Sequence, residues 1–155
     1  MALTFRIAGR DDVPEIVRLT ADDALSTGGD VYSEPLDPLY WDAFDRMAAQ
    51  PGNSIVLAEL DGRVVGCFQF TVTHGLARRG AARATVEAVK VDSARRGQGI
   101  GSAMMRHAIA LARAEGCVLL QLTSQTRRTD AHRFYERLGF RASHVGMKLL
   151  LTPEG

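Results

Sequence analysis

The spacing of apolar positions changes period several times along the chain. Leu3, Phe5 and Ile7 alternate with Thr4 and Arg6, the period of a short strand. Val13, Ile16, Val17 and Ala24 then recur at helical spacing. Asp12 reads as the cap of that helix, Pro14 falls in its first turn, and Glu15 completes a capping box. Ser26 to Leu36, with Gly28, Gly29 and Pro35, reads as a loop. Asp37-Pro38 opens a second helix carrying Leu39, Trp41, Phe44 and Met47, and Pro51-Gly52 ends it.

Ser54–Leu60 and Arg63–Thr73 read as a hairpin about Asp61-Gly62, residues suited to a type I′ turn. An arginine-rich connection, Thr73 to Arg83, leads to Val86–Val91, a strand broken only by Glu87 and Lys90. So few polar breaks indicate burial on both faces. After a glycine-rich turn, Gly101, Met104, Met105, Ala108, Leu111 and Ala112 form one helical stripe that Gly116 terminates. Val118–Thr123 is the next strand. A helix capped by Thr129 or Asp130 follows, with Ala131, Phe134, Tyr135 and Leu138 on its inner face and Gly139 at its end. Phe140–Ser143 and Met147–Leu151 read as two final strands in a hairpin. The order β-α-α-β-β-β-α-β-α-β-β is mixed α/β. Its strand-helix-strand unit implies a right-handed crossover and a parallel pair.

At 155 residues, 1–155 reads as a single domain. A net charge of +1 argues against bulk attraction to nucleic acid or to an anionic membrane. No run approaches the roughly 18 apolar residues of a membrane span, and the opening residues lack a signal-peptide core. Cys67 and Cys117 sit in apolar runs without metal-ligand spacing, so no metal is expected. Reduced thiols and the missing signal point to the cytoplasm.

The candidate chemistry starts at Arg96-Gly97-Gln98-Gly99-Ile100-Gly101-Ser102. Glycines let the backbone approach a ligand closely, and a helix opening there aims its free N–H groups and positive dipole end at an anion. The dinucleotide fingerprint fails because its third glycine comes early, at Gly101. A P-loop fails for want of lysine. Arg96-x-x-Gly99-x-Gly101 straight after a strand resembles the acyl-CoA pyrophosphate motif of the GNAT N-acyltransferases. Ala131-x-x-x-Tyr135-x-x-x-Gly139-Phe140 is similar to that family's late signature.

The resemblance implies a twisted mixed sheet with splayed central parallel strands, flanked by about four helices. It implies acetyl-CoA as cosubstrate and direct transfer of its acetyl group to an amine. Its pantetheine arm would lie along Val89, Lys90 and Val91. Gly97, Gln98, Gly99, Ile100, Gly101 and Ser102 would wrap the diphosphate together with Arg96. Arg128 stands where the family often has an asparagine that contacts the cofactor, and its cation could reach a phosphate instead.

An alkylammonium of pKa about 10.4 must lose a proton before it attacks, so a base is needed. Glu87 aligns with a family glutamate that acts as base. Read by alternation it shares a face with Val89 and Val91, where apolar neighbours would raise its pKa. The plain alternative is an ion pair with Arg83. His74 is the reserve base. Tyr135 matches the family tyrosine that protonates the leaving thiolate; otherwise it is a core residue. The Val89 N–H is the candidate to polarise the acetyl oxygen. Asp30, Tyr32, Glu34 and Trp41 could receive a cationic, partly apolar amine, or serve only as surface and core. The expected acceptor is a small-molecule amine. A protein lysine or N-terminus, or a CoA sensor without catalysis, are the alternatives. Exposed hydrophobic edges in the fold that the resemblance implies often pair into dimers, which leaves a homodimer open; the sequence itself does not name the oligomeric state.

Overall fold

A computed structural model describes residues 2–22 and 28–153 of the chain. Ala24 of the predicted first helix, and Ser26 and Thr27 of the predicted loop, lie outside the described residues. The elements are β1 (Leu3–Ile7), α1 (Val13–Ala21), α2 (Pro38–Ala48), β2 (Asn53–Leu60), β3 (Arg63–Thr73), β4 (Arg83–Val91), α3 (Ile100–Ala114), β5 (Leu119–Gln121) and α4 (Thr129–Arg137). The strands form one sheet in the order β1-β2-β3-β4-β5. The first three pairings are antiparallel and β4–β5 is parallel. Asp61 and Gly62 both take positive φ, 51° and 76°, as the type I′ turn requires.

Two apolar layers sandwich the sheet. On one face α3 buries Ile100, Met104, Met105, Ala108 and Ala112 against Val56, Phe68, Phe70, Ala84 and Val86. On the other, Leu19 with half-buried Ile16 from α1 covers Leu57 and Cys67. Val13 and Val17 pack with Leu36 and with Tyr40, Trp41 and Phe44 of α2. Gly66 lets α3 settle on β3. A Cβ there would stand 2.6 Å from Met104 Sδ and 2.9 Å from the Lys90 carbonyl oxygen. Among the described residues no helix is long and apolar enough to cross a membrane.

Three local expectations are corrected. Asp12 does not cap α1 through its side chain. It accepts from the Gly9 N–H at 2.7 Å and from both Arg6 terminal nitrogens at 2.7 and 2.8 Å. Glu15 pairs with Arg18 rather than closing a capping box. The guanidinium is the stronger partner, and it holds the Asp12 carboxyl below the usual carboxylate range. Asp37 does cap α2, accepting from the Leu39 N–H at 3.0 Å. At α4, neither Thr129 nor Asp130 is the cap. Arg128 holds that position without a side-chain bond, and Asp130 pairs with Arg133. Finally, neither Phe140–Ser143 nor Met147–Leu151 is a strand; both run outside the sheet.

Candidate active site

The parallel pair is short. Arg83, Ala84 and Thr85 pair with Leu119, Leu120 and Gln121, and no strand lies against the β5 side of β4 from Val86 onward among the described residues. Three residues past Thr85 on β4 is Ala88, and three past Gln121 is Ser124. The opening between the strands therefore has Ala88 on one wall and Ser124 on the other.

Ala88 is the irregular residue of β4, with φ of 49°. Opposite it the β3–β4 register slips: Cys67 faces Lys90, but Gln69 faces Glu87. Three steps on β4 thus match two on β3, which is a β-bulge. A left-handed alanine costs about 1–2 kcal/mol, so the surrounding sheet must hold it in place.

The bulge changes the faces. Val86, Val89 and Val91 all pack on the α3 cluster. Glu87 stands beside Gln69, and Lys90 beside Cys67, whose side chain belongs to the α1 face. Glu87 therefore does not share a face with Val89 and Val91 as simple alternation implies. Nor is it enclosed by apolar neighbours; it is exposed. Among the described residues no arginine, Arg83 included, forms an ion pair with it. Its neighbours on that face are polar. Gln69 Nε2 donates to Asn53 Oδ1 at 2.9 Å, and Gln121 Nε2 donates to Thr85 Oγ1 at 3.3 Å.

Tyr135 approaches from the α3 side. It packs on that cluster, with edge-on rings from Phe134 at 5.1 Å and Phe140 at 5.7 Å. Burial pushes its phenol pKa up, and the nearby Arg128 cation opposes this only in part. Tyr135 thus holds its proton at neutral pH. Glu87 and Tyr135 address the sheet from opposite faces.

The glycine turn follows a single 3-10 turn, Ser93–Arg95, capped by Asp92, whose side chain accepts from the Ala94 N–H at 3.0 Å. Gly97 and Gly99 have φ of 77° and 79°, and a Cβ at either would meet nothing within 4 Å. Gly99 is the N-cap of α3 and supplies no side-chain bond, so the first N–H groups of α3 have no side-chain cap. Ile100 is buried and anchors the helix start, while Arg96, Gly97, Gln98 and Gly99 are exposed and Ser102 half-exposed. Gly101 faces Phe134, whose ring a Cβ would meet at 3.6 Å, so α3 and α4 touch beside the turn. This open cradle fits a diphosphate. A second observation fits an arm lying in the opening: Ser124 Oγ is buried and has no hydrogen-bond partner.

Other predicted contacts separate. Tyr32 lines an open cleft of about 480 Å³ with Arg18, Asp22, Asp30, Asp92 and Ser93. It donates to Glu34 Oε1 at 2.7 Å, and that bond raises its pKa. The cleft adjoins the exit of β4 and hence the glycine turn. Trp41 is not on it; the ring packs between α1 and α2 beneath the Arg10 guanidinium, 4.8 Å from the ring centroid. His74 is exposed beyond the end of β3, where Thr73 pairs with Arg83. Arg83 is four residues, or about 13 Å, before Glu87, so His74 is not brought to it. Neither the Ala88 bulge nor the Ser124 hydroxyl is legible in the sequence, since neither residue type signals its place.

A family model described as the acetyltransferase (GNAT) family matches residues 16–140. A glucosamine 6-phosphate N-acetyltransferase from Trypanosoma brucei brucei is 35% identical over 57% of this chain and 58% of its own length. An aminoalkylphosphonate N-acetyltransferase from Salmonella typhimurium is 35% identical over 66% of each chain. The chain thus spans less than two thirds of these two curated relatives. Among solved structures, a transcriptional regulator from Bacillus halodurans superposes with a TM-score of 0.91 at 41% identity, over 97% of this chain and 100% of that one. A Trypanosoma brucei acetyltransferase superposes with 0.78 at 27% identity, over 97% and 100%.

Proposed function

The chain belongs to the GNAT acetyltransferase family, and from that premise we propose that it moves the acetyl group of acetyl-CoA to a primary amine on a small molecule by direct transfer. The observation that carries this reading is the open glycine cradle at the start of α3, placed beside the unpaired edge of β4. Backbone N–H groups of Gly97 to Ser102, with Arg96, hold the diphosphate. The main chain of Val89, Lys90 and Val91 holds the pantetheine arm. Arg128 supplies a further cation near the site.

Acetyl-CoA brings an activated acyl group; the chain supplies position and protons. The amine enters on the α1 face, where Glu87 takes its proton directly or through a water. The Val89 N–H, re-aimed by the bulge, polarises the acyl oxygen. Tyr135, on the other face, carries the proton for the departing thiol. The two proton carriers flank the opening, so neither competes for the other's position. The polar strip of Asn53, Gln69, Thr85 and Gln121 around Glu87 suits an acceptor rich in hydrogen-bonding groups. The named substrates of the two curated relatives are amines of that kind. Glucosamine 6-phosphate and an aminoalkylphosphonate are therefore the first acceptors to try, followed by peptide amines.

The test is thiol release from acetyl-CoA across that panel. Buried Cys67, its pKa pushed up to about 12, adds little thiol background. Acetyl-CoA should raise Tm while NADH and ATP do not; equal stabilisation by NADH would refute the cradle assignment. One rival is favoured by the 41%-identical neighbour, which is named a transcriptional regulator: a CoA-responsive regulator without turnover. Stabilisation by acetyl-CoA with no thiol release for any amine would select that rival.

A further inference from the structure

A polar row crosses four strands on the α1 face of the sheet. Asn53 of β2 pairs with Thr71 of β3, Thr71 with Thr85 of β4, and Thr85 with Gln121 of β5. In the next row Gln69 of β3 pairs with Glu87 of β4. Both rows lie beyond Leu57 and Cys67, which α1 covers. Gln69 is two residues on from Cys67 and so shares its face. It is half-buried, and Glu87 is exposed.

Hydrogen bonds turn the amides of this face in one sense. Asn53 Nδ2 donates to Gln50 Oε1 at 2.8 Å. Asn53 Oδ1 accepts from Gln69 Nε2 at 2.9 Å and from Thr71 Oγ1 at 3.5 Å. Gln121 Nε2 is turned to Thr85 Oγ1 at 3.3 Å. With its nitrogen drawn towards β2, the planar Gln69 amide turns its oxygen away from β2. Glu87 is its neighbour on the β4 side, and directly paired residues hold their Cβ atoms about 5 Å apart. Among the described residues no group donates to Gln69 Oε1 or to the Glu87 carboxylate. Two acceptors therefore stand side by side with no donor between them.

We propose that Gln69 makes the site select an amine over a hydroxyl as the attacking group, its side-chain oxygen holding one N–H while Glu87 takes another hydrogen. The inference rests on Glu87 as the base of the acetyl transfer proposed above. An alkylammonium carries three hydrogens. Glu87 removes one as a proton, Gln69 Oε1 holds one of the two that stay, and the freed lone pair attacks the acyl carbon. A hydroxyl carries a single hydrogen, which Glu87 engages, so Gln69 Oε1 would face an oxygen lone pair. A site whose polar group is left unmatched in this way discriminates strongly against the ligand. Asn53 is a positioning residue, because it fixes which end of the Gln69 amide meets the acceptor.

The test takes the amine that releases thiol fastest in the panel and its hydroxyl analogue, glucose 6-phosphate where the amine is glucosamine 6-phosphate. The readout is the ratio of the analogue's Ki to the amine's KM at saturating acetyl-CoA. Gln69→Leu should raise the amine's KM about tenfold, with kcat and the KM of acetyl-CoA little changed, the value of one hydrogen bond to a charged group. The analogue's Ki should stay or fall, so the ratio drops tenfold or more. Gln69→Met, nearly the same length as glutamine, should give the same drop and repeats the test should leucine unsettle the strand. Asn53→Asp presents only oxygens to Gln69 Nε2 and should keep the ratio, whereas Asn53→Leu frees the amide and should lower it. A purely structural role for Gln69 would weaken both ligands alike. An unchanged ratio in the Gln69 variants, or one lost equally in Asn53→Asp, overturns the proposal while leaving acetyl transfer in place. Absence of thiol release with every amine overturns the transfer reading itself, and this inference with it.

Discussion

Replacing Gly66 by alanine tests how closely α3 sits on the sheet. Gly66 lies inside β3, opposite Val91, and its φ is not left-handed. On backbone grounds alone a glycine-to-alanine change in a strand should stabilise by about 0.5–1 kcal/mol, because the unfolded chain has less freedom to lose. The packing reverses that sign. The new methyl would stand 2.6 Å from Met104 Sδ and 2.9 Å from the Lys90 carbonyl oxygen, well inside contact distance. The thioether can swing, but the carbonyl belongs to β4 and cannot move without shifting the strand beside the site. Overpacking of this kind costs about 1–3 kcal/mol. For a chain of this length that lowers Tm by roughly 3–10 °C, read by calorimetry or urea titration. Adding Met104→Ala removes the sulfur contact and leaves the carbonyl contact. The double variant should therefore stay less stable than Met104→Ala alone. A Gly66→Ala protein as stable as the parent, or more so, would refute this packing.

Removing the orphaned hydroxyl with Ser124→Ala should leave the ligand-free protein as stable as before, or more so. It should weaken acetyl-CoA binding by calorimetry about five- to tenfold, the value of one hydrogen bond. Unchanged affinity would mean that the hydroxyl does not face the ligand. Tyr135→Phe should lower kcat tenfold or more with little change in acetyl-CoA affinity, and equal kcat would remove its acid role. Because burial raises the Tyr135 pKa, any loss of activity from its deprotonation should come at higher pH than for an ordinary solvated tyrosine. Asp12 has a folded pKa below its unfolded value, so its pairing with Arg6 stabilises above about pH 4 and is lost as pH falls through the folded value. Arg6 is 44% exposed, so screening holds the effect below about 1 kcal/mol. Asp12→Asn should therefore lower Tm slightly at pH 7, and the difference from the parent should vanish in acid.

Much of this fold was legible because local chemistry and tertiary context agree. The Asp61-Gly62 turn, the Asp37 cap, the α3 stripe and the glycine stops each rest on a residue whose backbone preference matches its place. Asp12 departs from its local signal for the opposite reason. Its sequence neighbours suggest a cap, but Arg6 on β1 offers a charged partner that only folding brings near. The expectation of two final strands fails because Phe140–Leu151 has strand periodicity but pairs with no strand among the described residues. Periodicity reports which side chains want burial, and is silent about what buries them.

The bulge at Ala88 decides which face each residue of β4 takes beyond Val86. A left-handed position usually announces itself as glycine or asparagine, and alanine gives no such signal. Counting by twos from Val91 puts Glu87 among valines. Counting through the bulge puts it among Gln69, Thr85 and Gln121, in water. That exchange alters the chemistry to expect of the carboxylate. A base enclosed by apolar side chains works through a raised pKa. A solvated one works through position, on an amine it meets directly or through water. The same extra residue separates Val89 and Val91 from Glu87, so one strand can turn its polar chemistry to α1 and its apolar side chains to α3. A regular strand cannot do both across Glu87 and Val89, since residues two apart share a face. The strain at Ala88 and the division of labour at the site are therefore one feature of the backbone.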